Sequence, residues 1–148
     1  MRALPLMEYR EMLEKDIPAA LELWEGCRGI RLRDVDSHSN LVTFLQRNPT
    51  CSQVALENCI LVGVAMAGHD GRRGFLYHVA VKTDRRRKGV GTQLVERCLQ
   101  ALATQGILKC NILIEADNQS GEEFWRAIGW QTQPSLLFMN INRGPENA

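Results

Sequence analysis

The chain has 148 residues and a formal net charge of +1, with 45% hydrophobic and 24% charged residues. That length and balance describe one domain, residues 1–148, able to bury its own core, and they exclude a disordered, collagenous or disulfide-framed chain. The five cysteines (Cys27, Cys51, Cys59, Cys98, Cys110) show no CxxC and no Cys/His ligand spacing, and no apolar run approaches the roughly eighteen residues of a membrane span, so reduced thiols, no metal and a cytoplasmic protein away from the membrane are expected.

Residues 1–7 read as a loose end, and Glu8–Leu13 as a first strand. Asp16 is an N-cap candidate with Pro18 tolerated in the first turn, and Ile17, Ala20, Leu21 and Trp24 share one helix face that Gly26 or Gly29 ends. The charged loop Arg28–Asp36 leads to a second helix capped by Ser37 or Ser39, with Leu41, Phe44 and Leu45 as its apolar face and Asn48-Pro49 as its stop. Ser52–Glu57 and Cys59–Gly68 read as strands joined tightly at Glu57-Asn58, and the Gly68–Gly74 turn links them to a strand at Phe75–Val81. In that turn, His69 beside Asp70 is either a pair at a site mouth or a solvated turn.

Lys82–Lys88 carries five basic residues against one acid, a local charge of +4, and Gly89 and Gly91 follow. Val90, Leu94, Cys98 and Leu102 then recur every four residues, the stripe of an amphipathic helix. Gly106 ends it, Lys109–Glu115 is a strand parallel to Phe75–Val81 through a right-handed crossover, Asn118–Ile128 is a helix closed by Gly129, and Leu136–Ile141 is a last strand before a loose tail at 143–148. The order β-α-α-β-β-β-α-β-α-β predicts an α/β (α+β) fold: a mixed, mostly antiparallel sheet with a parallel βαβ pair, flanked by helices.

A glycine turn opening a helix is an anion site, because the first helical N–H groups are unpaired and glycine lets the backbone approach a ligand. The basicity is local, which suits a small phosphate ligand and not a nucleic-acid track. The dinucleotide pattern GxGxxG fails at Leu94, and no P-loop is present.

Arg86-Arg87-Lys88-Gly89-Val90-Gly91 does fit [RQ]xxGx[GA], and here the chain resembles the GCN5-related N-acetyltransferase (GNAT) family, in its small bacterial single-domain form. Val79-Ala80-Val81 resembles the family's bulged strand, and Asn118 followed by Phe124-Trp125 and Gly129-Trp130 resembles its second half. The resemblance covers nearly the whole chain. It implies the acyl-CoA N-acyltransferase fold, with a parallel strand pair that splays at the centre of the sheet. The implied activity is transfer of an acetyl group from acetyl-CoA by direct attack of an amine on the thioester.

By position, Arg86, Arg87, Lys88, Gly89, Val90, Gly91 and Thr92 would wrap the pyrophosphate, with Arg85 or Lys88 near the ADP phosphate. Val79, Ala80 and Val81 would hold the pantetheine arm, the Val79 N–H polarising the thioester carbonyl, and Asn118 would touch the arm while capping its helix. Many family members carry a tyrosine where this chain has Trp125. Indole donates one hydrogen bond but delivers no proton at neutral pH, so Trp125 packs against the arm or belongs to the core, and water is left to protonate the thiolate. That departure also leaves open a second reading, a non-catalytic acyl-CoA-binding sensor or interaction module.

For the base, Tyr77 shares a face with Phe75 and Val79 unless a bulge intervenes, and it suits a water-positioning role. His78 has the chemistry of a base but alternation sends it to the opposite face, where packing is the expected role. In the family the acceptor is chosen by the first helices and their loop, which here offer Trp24, Glu25, Arg28, Arg31, Arg33, Asp34 and Asp36, of both signs. A small amine, an amino acid or a protein amino group all remain open. Family members are often dimers, so a homodimer is among the implied partners.

Overall fold

Each expected helix and all but one expected strand form in the computed structural model, which describes residues 6–148. The chain runs β1 (Met7–Glu11), α1 (Ile17–Glu25), α2 (His38–Arg47), β2 (Gln53–Glu57), β3 (Ile60–His69), β4 (Gly74–Val81), α3 (Val90–Thr104), β5 (Cys110–Ile112) and α4 (Gln119–Ala127), with 3-10 turns at Glu14–Asp16, Asp34–Asp36 and Thr83–Arg85. The sheet order is β1-β2-β3-β4-β5. The first three pairings are antiparallel, and β4 pairs with β5 in parallel.

Local chemistry sets the boundaries. β1 stops early because the Leu13 N–H turns to the Asp16 carboxylate at 2.8 Å, and the same carboxylate takes two hydrogen bonds from Arg10 at 2.7 and 2.9 Å. Ser37, not Ser39, caps α2 by accepting from the Asn40 N–H, and Asn118 caps α4 by accepting from the Gly121 N–H.

The sheet buries both faces. On one, α3 and α4 press Val90, Leu94, Val95, Cys98, Leu102 and Trp125 against Leu76 and Ala65. On the other, α1 and α2 bring Ile17, Ala20, Trp24 and Leu41 onto Val54, Val64, Met66 and Ala80. α3 lies so close to β3 that a side chain on Gly63 would sit 2.9 Å from Leu94 and 3.1 Å from Val90.

The end of the chain departs from expectation. Leu136–Ile141 forms no strand, and Leu136, Leu137, Phe138, Met139 and Ile141 are exposed. β5 is shorter than expected and forms one edge of the sheet, so the parallel pair lies at that edge. A strand needs a partner ladder; here the tail is drawn elsewhere. Asn147 accepts the Asp34 N–H at 3.0 Å and donates its side-chain amide to the Asp34 carboxylate at 2.9 Å. The tail expected to be loose is therefore tied to the turn after α1. At the other end, the expectation for residues 1–5 lies outside the described residues, while Met7 already belongs to β1. No helix among the described residues is long and apolar enough to cross a membrane.

Candidate functional site

The feature that opens a site is an irregularity in β4. Val64 of β3 stands opposite Ala80, but Met66 stands opposite Tyr77. Ala65 therefore faces two residues, His78 and Val79, the two-for-one pairing of a β-bulge. His78 sits at φ +49°, in the left-handed region that costs a side chain strain. Parity resets across the bulge. Tyr77 stacks on Phe75 and meets the edge of Phe44 on α2, whereas Val79 packs on the α3 side. Tyr77 and Val79 do not share a face, contrary to the simple alternation.

On its other side, β4 pairs with β5 only from Gly74 to Leu76. Beyond that point a cleft of about 780 Å³ opens between the strands. One wall is His78, Val79, Ala80 and Val81; the other is Ile112, Leu113 and Ile114, with Asn118, Phe124 and Trp125 from α4. Cys27–Ile30, after α1, and Arg86, Arg87 and Gly89–Thr92 also line it, with Arg86 Nη2 3.8 Å from Cys27 Sγ.

The basic turn has a geometry that can hold an anion. Arg87 has φ +62° and Gly89 has φ +82°, and the chain then enters α3. Among the described residues, the N–H groups from Arg87 to Thr92 make no main-chain hydrogen bond; Gln93 is the first to find a carbonyl, that of Gly89. Left-handed residues beside a helix start turn successive N–H groups toward one point, and the helix dipole adds to their field. The two glycines have different reasons. A side chain on Gly89 would meet nothing within 4 Å, so its role is conformational, whereas one on Gly91 would stand 3.3 Å from Phe124, so its role is close packing.

The basic residues divide into separate tasks. Arg85 is held by Glu57, and by Asp84 at 3.0 Å, so it belongs to the scaffold. Arg86 donates from Nε to the Val81 carbonyl at 3.0 Å, pinning the turn to the end of β4. Lys88 is exposed and does not line the cleft.

Asn118 spends its Oδ1 on the helix cap and leaves its Nδ2 without a partner among the described residues. Trp125 is buried, edge-on to Phe124 and Trp130. Its indole N–H has no acceptor among the described residues. Because no buried side-chain nitrogen there goes unpartnered, this N–H keeps some access to solvent, and the residue lines the cleft.

Of the expected site residues, Val79, Ala80, Val81, Arg86, Arg87, Gly89, Val90, Gly91, Thr92, Asn118 and Trp125 come together on this cleft; Tyr77 and Lys88 do not. Burial raises the Tyr77 phenol further above neutrality. His78, expected to pack on the face opposite Val79, packs there on Trp24 and also lines the cleft. Its Nε2 is 3.0 Å from Asp36 Oδ1, and its carbonyl accepts the Trp24 indole N–H at 2.7 Å. Burial pushes the Asp36 carboxyl up, but hydrogen bonds from His78 and the Arg33 N–H outweigh it and hold the group below its ordinary range. His69 hydrogen-bonds Gln105, and Asp70 accepts from the Arg72 and Arg73 N–H groups, so that segment is a turn.

The model of the Acetyltransferase (GNAT) family matches residues 10–130. The chain belongs to that family. It is an N-acetyltransferase by that membership. An acetyltransferase of Yersinia pestis (strain Pestoides F) is 30% identical over 131 residues, covering 88% of this chain and 92% of its own. One from Sodalis glossinidius is 29% identical over 133 residues, covering 90% and 93%.

Among solved structures, PaiA N-acetyltransferase from Thermoplasma acidophilum in complex with coenzyme A superposes with a TM-score of 0.76 at 18% identity, covering 86% of this chain and 91% of its own. Aminoglycoside N-acetyltransferase AAC(6')-Iy in complex with CoA gives a TM-score of 0.74 at 18% identity, covering 97% and 99%. At that identity the likeness is one of fold.

Proposed function

We propose that this acetyltransferase takes its acetyl group from acetyl-CoA and passes it to an amine by direct attack on the bound thioester. The observation that carries the reading is one continuous cleft lined both by a run of N–H groups, Arg87 to Thr92, that find no main-chain acceptor among the described residues, and by the opened bulge of β4. A donor with a pyrophosphate and a long amide arm needs both, an anion cradle and a polar main-chain edge to lie along. The residues present fit it. Val79 to Val81 offer main-chain groups to the arm, Asn118 offers its Nδ2, and the apolar wall of Ile112, Phe124 and Trp125 flanks it.

The chemistry needs a polarised carbonyl, an uncharged amine and a proton for the thiolate. The Val79 N–H, on the strand edge freed where β5 turns away, is assigned to the carbonyl. Trp125 is assigned to packing and not to proton delivery, since indole keeps its proton at neutral pH. In the segment after α1, Arg28 is the charged side chain on the cleft.

The test is thiol release from acetyl-CoA with and without amines of several classes: a diamine, an amino-acid ester, an aminoglycoside and a peptide with a free N-terminus. Amine-dependent release with one of them supports the reading. Release that ignores every amine, together with no binding of acetyl-CoA, overturns it.

A further inference from the structure

We propose that His78, oriented by Asp36 and anchored through its own carbonyl by Trp24, is the base that deprotonates the incoming amine; this rests on the acetyl-transfer reading above. Asp36 is held in its charged form by the hydrogen bonds around it, and a carboxylate only accepts. The 3.0 Å contact therefore fixes the proton of the neutral imidazole on Nε2. The lone pair is left on Nδ1.

That nitrogen makes no hydrogen bond among the described residues. Since no buried side-chain nitrogen there lacks a partner, Nδ1 is open to solvent, and His78 lines the cleft. One-fifth of the side chain remains exposed. The ring is also held from the other side: it lies 5.1 Å from the Trp24 indole, tilted by 59°. A histidine kept at φ +49°, with one nitrogen on a buried carboxylate and its carbonyl on a buried indole, is fixed in a single orientation next to Val79. Packing alone requires none of these polar contacts.

The step balances as follows. The acceptor ammonium gives one proton to His78 Nδ1 and becomes a nucleophile. Its nitrogen bonds to the acetyl carbon, the C–S bond breaks, and the second proton leaves the nitrogen for the thiolate sulfur. The imidazolium then releases its proton to water. His78 is the catalytic residue here, and Asp36 a positioning residue. Asp36, on the turn Asp34–Asp36, is the charged group in contact with the ring; Arg28 after α1, Arg85, Arg86 and Arg87 on the basic turn, and Glu123 on α4 are the other charged groups on the cleft.

The experiment compares wild type, His78→Asn and Asp36→Asn. Asparagine tolerates a left-handed backbone better than most residues, so His78→Asn removes the imidazole with least disturbance of the bulge. Three quantities are read: acetyl-CoA binding, the pH profile of kcat/KM with the best amine of the four classes, and the histidine nitrogen spectrum. His78→Asn is expected to bind acetyl-CoA normally, lose about a hundredfold or more in kcat, and lose the acid limb of its profile. Asp36→Asn is expected to lose at least about tenfold in kcat and to mix the two ring tautomers of His78, which in wild type is the Nε2–H form alone.

A His78→Asn protein within about threefold of wild type and with its pH profile overturns the proposal. So does a wild-type spectrum with the proton on Nδ1. Failure of wild type to bind acetyl-CoA or release thiol with any amine overturns the acetyl-transfer reading, and this one with it.

Discussion

Trp24 donates its indole N–H to the main-chain carbonyl of His78 at 2.7 Å, tying the first helix to the bulge of the fourth strand across 54 residues of sequence. The indole is fully buried, so the bond is made out of water. Trp24→Phe keeps a ring in the core but removes the donor. The expected loss is about 1–3 kcal/mol in stability, read by urea denaturation, together with a fall in kcat as the bulge relaxes. Unchanged stability would mean that the carbonyl finds another partner and the bulge stands without α1.

The two glycines of the anion turn should fail differently. A side chain on Gly89 meets no neighbour, so Gly89→Glu should fold with only about 1–2 kcal/mol of left-handed strain while its carboxylate confronts the incoming pyrophosphate. Binding of acetyl-CoA should fall by more than about a hundredfold, roughly 2.7 kcal/mol. Gly91→Leu should instead lose stability, because its side chain runs into Phe124. Equal effects of the two variants on binding and on melting temperature would contradict this division.

Trp125 stands where the family resemblance implies a tyrosine, and its indole is expected to pack. Trp125→Phe should retain at least about a tenth of wild-type kcat. A loss beyond about a thousandfold, over 4 kcal/mol in the barrier, with the melting temperature intact would assign the indole N–H a part in the chemistry.

How much of this was legible before the structure depends on the range of the contact. The Arg86–Gly91 turn and the stripe of α3 are local patterns, so their spacing was enough to place a basic glycine turn on a helix start. The bulge is different. Nothing in the alternation of Phe75–Val81 marks that Ala65 will face two residues, so alternation alone puts Tyr77 on the face of Val79, whereas it meets Phe44 on α2. Asp36 lies 42 residues from His78 in the chain, and in a loop of mixed charge it carried no local sign of its partner. Leu136–Ile141 has the composition of a strand, but a strand is a property of two segments. Here Leu136–Ile141 joins no strand among the described residues, and Asn147 beyond it is bonded to Asp34.

Acid should weaken the fold in a definite direction. Burial raises Asp16 and Asp36, yet Arg10 and the Leu13 N–H at the first, and His78 and the Arg33 N–H at the second, outweigh it, so both carboxyls sit below their unfolded values in the native state. The unfolded chain then binds more protons over that interval. This stability is fully present above about pH 4 and is lost as the pH falls through the lower, folded values. Melting temperature should decline on acidification below that point, and Asp16→Asn should flatten the decline. A decline that begins near neutrality and ignores Asp16 would point to other groups.

The most direct test of the account is thermal unfolding with acetyl-CoA, CoA, NAD and ATP side by side, for wild type and Gly89→Glu. A ligand at a hundredfold excess over its dissociation constant adds about 2.7 kcal/mol, several degrees for a domain of this size. The account predicts that acetyl-CoA and CoA shift wild type alone, with little effect from NAD or ATP. Equal shifts with ATP, or a CoA shift that survives Gly89→Glu, would reduce the cleft to a general phosphate turn and contradict the assignment of the donor.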